Sequence, residues 1–210
     1  MPTAFREWAV TVRALAEGEQ LLTVRRANPA RGDRPLQLPF DRFFLYPTFD
    51  RQPGDLVRSS HQPELRRALE EGVWTDGEPA IQSFVTGAPI PQPDRVRIRA
   101  WAEVTDAFTV YERRCVEALC PYSVLTPDYV FKRLGWRSHQ PLDVLLLRTY
   151  RIPRPVTVRV RDEYLGPAPW IELQRELPFE GTPVLSDGEF ERAAEEIRSI
   201  AAQDDRAVLV

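Results

Sequence analysis

The residues of this chain that could do chemistry are mainly carboxylates and arginines. Lys132 is the only lysine among 28 basic residues, and His61 and His139 are the only histidines. Arginine binds phosphate and carboxylate bidentately but stays protonated, so it can hold an anion and cannot readily act as a general base. The composition therefore favours anion binding or carboxylate chemistry over proton transfer by histidine.

Several familiar catalytic classes are excluded because their motifs are missing. The sequence contains no GxxxxGK[ST] loop, no GxGxxG after a strand and no GxSxG elbow. Both histidines lie in hydrophilic SHQP stretches that are typical of exposed turns. Cys115 and Cys120 are too few for a zinc site built on cysteine. We therefore predict no metal site and no cofactor.

Two carboxylates, Glu7 and Asp50, support an enzymatic hypothesis. A metal-dependent phosphodiesterase or nuclease-like enzyme would use a helix glutamate and a strand-end aspartate to hold Mg²⁺ and orient water. Such a core also needs a Glu-x-Lys pair, and no Asp or Glu stands two residues before Lys132. An arginine would have to replace that lysine. Whether the chain is an enzyme stays open, and Mg²⁺ is expected only under this hypothesis.

Arginines at strand ends support a different hypothesis. Arg148 lies inside the apolar run VLLLRTY, where an unpaired guanidinium is costly to bury. An ion pair with Glu7 or Asp50 is the favoured explanation, and a ligand anion is the alternative. If Arg25, Arg51 and Arg148 converge, they form a pocket of the kind that holds phosphate.

The elements that position these residues follow from periodicity. Apolar residues at helical spacing predict a helix over 4–16 that Gly18 ends. Phe43 to Tyr46 predicts a core strand, and Pro47 marks where its backbone pairing stops. Further strands are predicted over 20–25, 96–104, 143–152, 156–161 and 170–173. Trp101 is expected on the half-exposed face of the strand over 96–104. Further helices are predicted over 63–71, 111–119 and 126–135 and from the capping box at 186–189 onward.

The order of these elements predicts an α+β fold, with a mixed or antiparallel sheet and helices packed on it. The strands at 143–152 and 156–161 are expected to pair as a hairpin across Pro153-Arg154-Pro155. The Pro-rich connector at 77–95 divides an N-terminal helix-plus-sheet region, 1–76, from a C-terminal α+β region, 96–202. These regions form one compact domain or two tightly packed lobes.

Bulk properties limit the partners. The chain has 210 residues, 43% of them hydrophobic, a net charge of −3 and a pI near 5.6, which argues against a wholly basic nucleic-acid-binding surface but leaves a local basic groove open. No apolar run is long enough to span a bilayer, and the first residues lack the order of a signal peptide. We expect a cytoplasmic protein that does not contact membranes.

Blocks of residues in a fixed order resemble a bacterial family catalogued as domain of unknown function 1802. The blocks are REWAVTVRAL (6–15), the strand ending in Arg25-Arg26, FFLYPTFDRQ (43–52), AWAEV (100–104), KRLGW (132–136), VLLLRTYRIP (144–153) and Tyr164, Gly166 and Trp170. The resemblance implies a shared fold and little about activity. The family pattern has Glu-His where this chain has Asp50-Arg51, which keeps a donor for anions but removes a titratable base. A member without that histidine should lack any activity that depends on it.

The residues that match the pattern, together with Arg51, make up the predicted site. The predicted ligand-binding residues are Arg25, Tyr46, Thr48, Arg51, Gln52, Arg148 and Tyr150. The first hypothesis is an anion- or phosphate-binding module whose partner is a phosphorylated small molecule, a nucleotide or a nucleic-acid end. The second is the phosphodiesterase that uses Glu7 and Asp50. A partner-binding scaffold is the third.

Overall fold

One mixed sheet forms the frame of the molecule in the computed structural model, which describes residues 1–27, 38–49, 54–86, 88–133, 137, 140–166 and 168–209. Its strands are β1 (Thr3–Trp8), β2 (Leu22–Arg26), β3 (Arg42–Thr48), β4 (Gly72–Val73), β5 (Arg95–Val110), β6 (Leu142–Arg159), β7 (Trp170–Glu172), β8 (Thr182–Pro183) and β9 (Val208–Leu209). The helices are α1 (Ala9–Glu17), α2 (Gln62–Ala68), α3 (Ile81–Thr86), α4 (Arg113–Leu119) and α5 (Asp187–Ala201), with a π-helical turn at Tyr129–Arg133.

The strand order confirms the predicted α+β class with a mixed sheet. Strands run in the order β2-β6-β5-β3-β1-β7, with β1 and β3 parallel and the other neighbours antiparallel. The long pair of β5 and β6 forms the centre, and β3, β4 and β9 share the other edge of β5. One sheet thus includes strands from both predicted regions. The division at 77–95 stays a prediction.

The predicted helix over 4–16 is wrong in its first part. Residues Thr3–Trp8 form β1, and α1 begins only at Ala9 and ends, as predicted, at Gly18 with a φ of 77°. Parallel pairing with β3 satisfies the β1 backbone and buries Phe5, whose ring lies 5.1 Å from that of Phe43. Glu7 therefore lies on a strand and not on a helix.

The predicted hairpin at Pro153-Arg154-Pro155 is also wrong, because Leu142–Arg159 is one strand, β6. The register with β5 jumps there: Ile98 lies opposite Val156, whereas Ala100 lies opposite Arg151. The intervening residues of β6 form a bulge, where prolines without an N–H are tolerated. The prolines therefore bend the long strand and do not reverse the chain.

Two local expectations about side chains and strand ends also fail. Trp101 is only 6% exposed, since its ring stacks on Tyr150 at 4.0 Å and the sheet register shifts just before it. Strand β3 continues through Pro47 to Thr48. It pairs there only with β1, because its pairs with β5 end at Phe44. An edge position of this kind tolerates proline.

Helix α5 follows its prediction closely. The Ser186 hydroxyl accepts a hydrogen bond from the Glu189 backbone N–H, and the Glu189 carboxylate accepts one from the Ser186 backbone N–H. The buried face contains Phe190, Ala194, Ile197 and Ala201, which pack against the apolar side chains of β5 and β6. A reciprocal cap and a helical apolar stripe are local sequence signals, and the structure contains both of them in α5.

Candidate functional site

A pocket opens between α1, β2 and the segment that runs from α4 to the π-helical turn. It contains about 430 Å³ of empty space, including its open mouth. Its lining residues are Glu7, Thr11, Gln20, Leu22, Thr23, Val24, Val116, Leu119, Cys120, Ser123, Leu125, Thr126, Tyr129 and Val130. Apolar walls with a few polar groups between them are typical of small-molecule sites.

Glu7 is the carboxylate of this pocket, and its side chain is 11% exposed. One oxygen, Oε1, lies 3.4 Å from Arg25 Nη2, and the other accepts a hydrogen bond from the Trp8 backbone N–H at 3.3 Å. Burial raises the pKa of Glu7 above its usual range, although the Arg25 charge opposes the shift. A ligand that donates hydrogen bonds to the carboxylate would favour its charged form and so offset part of this shift.

Arg25 brings two distant strands together. In the sheet order β6, β5 and β3 separate β2 from β1, yet the Arg25 guanidinium donates to the carbonyl of Arg6 at 3.2 Å and also contacts Glu7. It stacks over the Phe5 ring at 3.9 Å and is 29% exposed. The sheet therefore curls until β2 approaches β1, and Arg25 links the two strands beside the pocket.

Two threonine hydroxyls in the pocket lining have no hydrogen-bond partner among the residues that the structure describes. Thr11 on α1 is 1% exposed and Thr23 on β2 is 3% exposed, and the Oγ1 atoms of both are buried and unsatisfied. Their polar neighbours are satisfied: Gln20 donates to the Leu22 carbonyl at 2.8 Å and accepts from Ser123 Oγ at 3.3 Å. Because buried polar groups in native proteins are nearly always paired, these two hydroxyls need an explanation.

The Cys120 thiol in the pocket wall is not activated as a nucleophile. Burial raises the pKa of the Cys120 thiol to about 11, and the thiol donates to the Val116 carbonyl at 3.3 Å. A thiol with this pKa is protonated at neutral pH and is a poor nucleophile. Tyr129, which also lines the pocket, packs its ring edge-on to Trp8 at 5.1 Å.

Thr48 and Tyr46 flank the same strand pair without lining the pocket. Thr48 Oγ1 donates to the Glu7 carbonyl at 3.0 Å and so holds the backbone of the site carboxylate. Tyr46 is 3% exposed and packs edge-on to Tyr164 at 5.7 Å, and burial raises the pKa of its phenol. Thr48 thus supports the site from behind, whereas Tyr46 belongs to the core.

Arg148 and Tyr150 lie elsewhere on the sheet. Arg148 forms an ion pair with Asp187 at the start of α5 and lies over the Phe190 ring at 5.0 Å. Arg148 thus pairs with Asp187, and Glu7 pairs with Arg25; the alternative partner Asp50 lies outside the described residues. Tyr150 stacks on Trp101. Arg25 and Arg148 are engaged in separate ion pairs and do not converge on one anion pocket.

Part of the predicted site falls outside the described residues, namely Asp50, Arg51 and Gln52. Within the described residues, no group of three or more His, Cys, Asp and Glu side chains could hold a metal ion. Nor does any helix in that part of the chain have the length and apolar character to cross a membrane. The described candidates for a site are thus Glu7, Arg25 and the pocket behind them.

Sequence reasoning named Glu7, Arg25 and Thr48 as candidates but did not name Thr11 and Thr23. Both threonines stand in apolar segments, AVTVRAL and LLTVR, where a hydroxyl is surrounded by buried positions. A threonine in such a segment usually bonds to a nearby backbone carbonyl, so only the tertiary structure reveals that these two do not.

The chain is similar to one protein family in sequence and, more distantly, to solved structures in fold. No curated protein matches it. Among solved structures, ASCH from Zymomonas mobilis is similar at 11% identity and a TM-score of 0.42, over 92% of this chain and 93% of that one. Structures of two point mutants of that protein are similar at 10% and 12% identity with TM-scores of 0.43 and 0.40, over 93% and 92% of this chain and 98% and 96% of theirs. Residues 4–196 match the family described as "Domain of unknown function (DUF1802)", so the chain belongs to this family, as its sequence blocks predicted.

Proposed function

We propose that this protein is a binding module that takes the base of a nucleotide, or of a nucleic-acid end, into the Glu7 pocket. The single observation that carries the proposal is the buried Glu7 carboxylate in the same pocket as the two unsatisfied hydroxyls of Thr11 and Thr23. A ligand that offers both donors and acceptors would satisfy all three groups. Apolar walls would cover its faces.

The charge of the pocket favours a neutral ring over a bare anion. Glu7 and Arg25 form an ion pair, so the inner pocket has no uncompensated positive charge from this pair. A free phosphate in the pocket would lie against the Glu7 carboxylate and lose its hydration among apolar side chains. A heterocycle with adjacent N–H groups can instead donate to the carboxylate. The anion-binding hypothesis is therefore narrowed to a ligand whose base enters the pocket and whose phosphate, if it has one, lies outside the pocket.

Arg25 is the residue that could meet such a phosphate. It lies beside the pocket with its side chain 29% exposed, and its buried Nε atom has no hydrogen-bond partner among the described residues. A planar guanidinium that already contacts one carboxylate keeps further N–H groups for an anion. A nucleotide would therefore bind more tightly than its nucleoside, and the difference would depend on Arg25.

The phosphodiesterase hypothesis is the less supported one. Both Glu7 oxygens are engaged, by Arg25 and by the Trp8 N–H, which leaves the carboxylate poorly placed for Mg²⁺ without a rearrangement. Its second carboxylate, Asp50, is outside the described residues. Cleavage of an oligonucleotide that depends on Mg²⁺ or Mn²⁺ and is lost in Glu7→Gln would replace the binding proposal with this one.

Thermal unfolding with a panel of nucleosides, nucleotides and inorganic phosphate tests the binding proposal. A ligand that binds only the native state raises Tm in a concentration-dependent way. We expect at least one nucleoside and its nucleotide to raise Tm, inorganic phosphate alone to have no effect, and Glu7→Gln and Thr23→Val to abolish the ligand-induced shift.

Thr149→Val is the matched control for these variants. Thr149 is also buried, with a hydroxyl that is unsatisfied among the described residues, but it lines a different, smaller pocket beside Arg148. This variant should respond to the ligand as the wild type does. Stabilisation by inorganic phosphate alone, or an equal loss of the ligand response in Thr149→Val, would refute the assignment of the ligand to the Glu7 pocket.

A further inference from the structure

Four arginines meet at the end of the β5–β6 pair. Arg95 of β5 lies directly opposite Arg159 of β6, and Arg97 lies opposite Thr157. Arg175 donates to the Thr157 carbonyl at 3.3 Å, so it lies beside the same residues. Arg95, Arg159 and Arg175 are exposed, and Arg97 is partly buried. We refer to these four residues as the arginine patch.

The arginine patch has few neutralising partners within the part of the chain that the structure describes. None of its four members forms an ion pair there, whereas Arg13, Arg99 and Arg198 each pair with carboxylates. Arg97 donates instead to the backbone carbonyls of Glu70 and Gly72. The acidic residue next to Arg95, Asp94, accepts a hydrogen bond from the Thr75 backbone N–H at 2.6 Å. The patch therefore presents concentrated positive charge.

This arrangement works against the stability of the sheet. Like charges that face each other across two antiparallel strands destabilise the pair. Arg95 and Arg159 occupy such a position, and the Asp94 carboxylate offsets part of the Arg95 charge. A polyanion bound across the patch would supply the missing negative charge. We propose that the arginine patch binds the phosphate backbone of a nucleic-acid strand.

The geometry favours a phosphodiester chain over other polyanions. Residues two apart on a strand are spaced by roughly 6.6 Å, which is of the order of the distance between adjacent phosphates in a polynucleotide. Hydrogen bonds to backbone carbonyls hold Arg97 and Arg175 in place, so their remaining N–H groups are oriented before binding. Oriented, planar guanidiniums recognise phosphate bidentately, which a flexible ammonium does not.

The arginine patch is separate from the Glu7 pocket. Strand β2, which lines the pocket, pairs with β6 between Leu142 and Leu146, whereas the patch lies at Thr157 and Arg159 of the same strand. The two sites are thus roughly 35 Å apart along β6. Nucleic-acid binding at the patch does not require that the pocket bind a base, and either proposal can fail alone.

Binding of a fluorescently labelled single-stranded oligonucleotide over a range of salt concentrations tests the proposal. The logarithm of affinity falls with the logarithm of salt concentration by about 0.7 per phosphate contact for single strands. We expect wild-type binding to weaken steeply with salt, and the double variant Arg95→Gln/Arg159→Gln to lower the slope by roughly 1.4. The same variant should unfold at an equal or higher Tm, because it removes a repulsive pair.

Arg42→Gln/Arg113→Gln is the matched control, because both of its arginines are exposed but are paired with Glu103 and Glu117. It removes the same charge and should keep the wild-type slope. Equal slopes for the patch and control variants would overturn the proposal. Binding of polyglutamate or of vesicles with anionic lipid as tight as that of the oligonucleotide, with the same dependence on the patch, would overturn the choice of nucleic acid.

Discussion

The two unsatisfied hydroxyls lead to a prediction that runs against the usual effect of mutation. Replacing Thr23 by Val exchanges the buried Oγ1 for a methyl group of similar shape, and the same exchange can be made at Thr11. Most point mutations destabilise, but each of these two removes a buried polar atom that has no partner in the described part of the chain. If the hydroxyls serve a ligand, the ligand-free protein should become more stable without them.

The expected gain follows from the penalty of burying an unpaired hydroxyl. That penalty is about 1–3 kcal/mol, so each single variant should raise the free energy of unfolding by about 1 kcal/mol after some loss from imperfect packing of the methyl group. For a chain of this size the corresponding rise in Tm is about 2–4 °C. Urea denaturation without ligand measures the free energy, and thermal unfolding with the nucleotide panel measures the loss of binding.

Thr149→Val separates the two effects. Because its hydroxyl is also buried and unsatisfied, it should show the same gain in stability, but ligand binding should be unchanged. A drop of 1 kcal/mol or more in Thr23→Val would refute the reasoning. It would show that the Thr23 hydroxyl makes a stabilising hydrogen bond within the native protein. Gains in stability with full retention of ligand binding would dissociate the hydroxyls from the proposed function.

Three further predictions concern the site carboxylate and the scaffold. The pKa of Glu7 in the folded protein is raised above 4.5, its value in the unfolded chain. Between these two pKa values the native protein binds a proton that the unfolded chain has released. The stability of the wild type should therefore fall relative to that of Glu7→Gln as pH rises from about 4.5 through the raised pKa. Urea denaturation at a series of pH values measures this difference. Glu71 is 0% exposed between Arg13 and Arg99, so Glu71→Ala should lower the free energy of unfolding by about 3 kcal/mol in urea. Ser186→Ala should lower it by about 1 kcal/mol, measured by calorimetry, because the α5 cap is lost.

Each of these predictions has a control or an opposing outcome. A pH-independent difference between Glu7→Gln and wild type would contradict the raised pKa. Glu70→Ala removes the exposed partner of Arg13, at 3.5 Å, and should cost less than about 1 kcal/mol. A similar loss in the Glu70 and Glu71 variants would contradict the buried network. Ser186→Asp keeps an acceptor at the cap and should retain most of the wild-type stability.

Local signals in the sequence were sufficient for several elements. The capping box at Ser186 and the apolar stripe of α5 involve residues within one or two helical turns, so their meaning does not depend on the rest of the chain. Gly18 ends α1 in the left-handed conformation because glycine adopts it without strain. The alternation from Val96 onward likewise predicted β5, although not its full extent to Val110.

Non-local pairing decided the elements that were mispredicted. The spacing of Phe5 and Trp8 suits a helix, but parallel pairing with β3 draws this segment into the sheet. Pro153 and Pro155 look like a turn in isolation, whereas the register of β5 turns them into a bulge within one long strand. Trp101 becomes buried because Tyr150 and Phe179 cover it from other parts of the chain.

For the site, the sequence by itself determined the available chemistry: many arginines, one lysine, two histidines, and a carboxylate at Glu7 next to an apolar segment. Only the tertiary structure decided that Glu7 meets Arg25, that Arg148 pairs with Asp187, and that the Thr11 and Thr23 hydroxyls are left unsatisfied in one pocket. Residue types depend on composition alone. Their partners depend on how the sheet curls, and that is set by contacts between residues far apart in the chain.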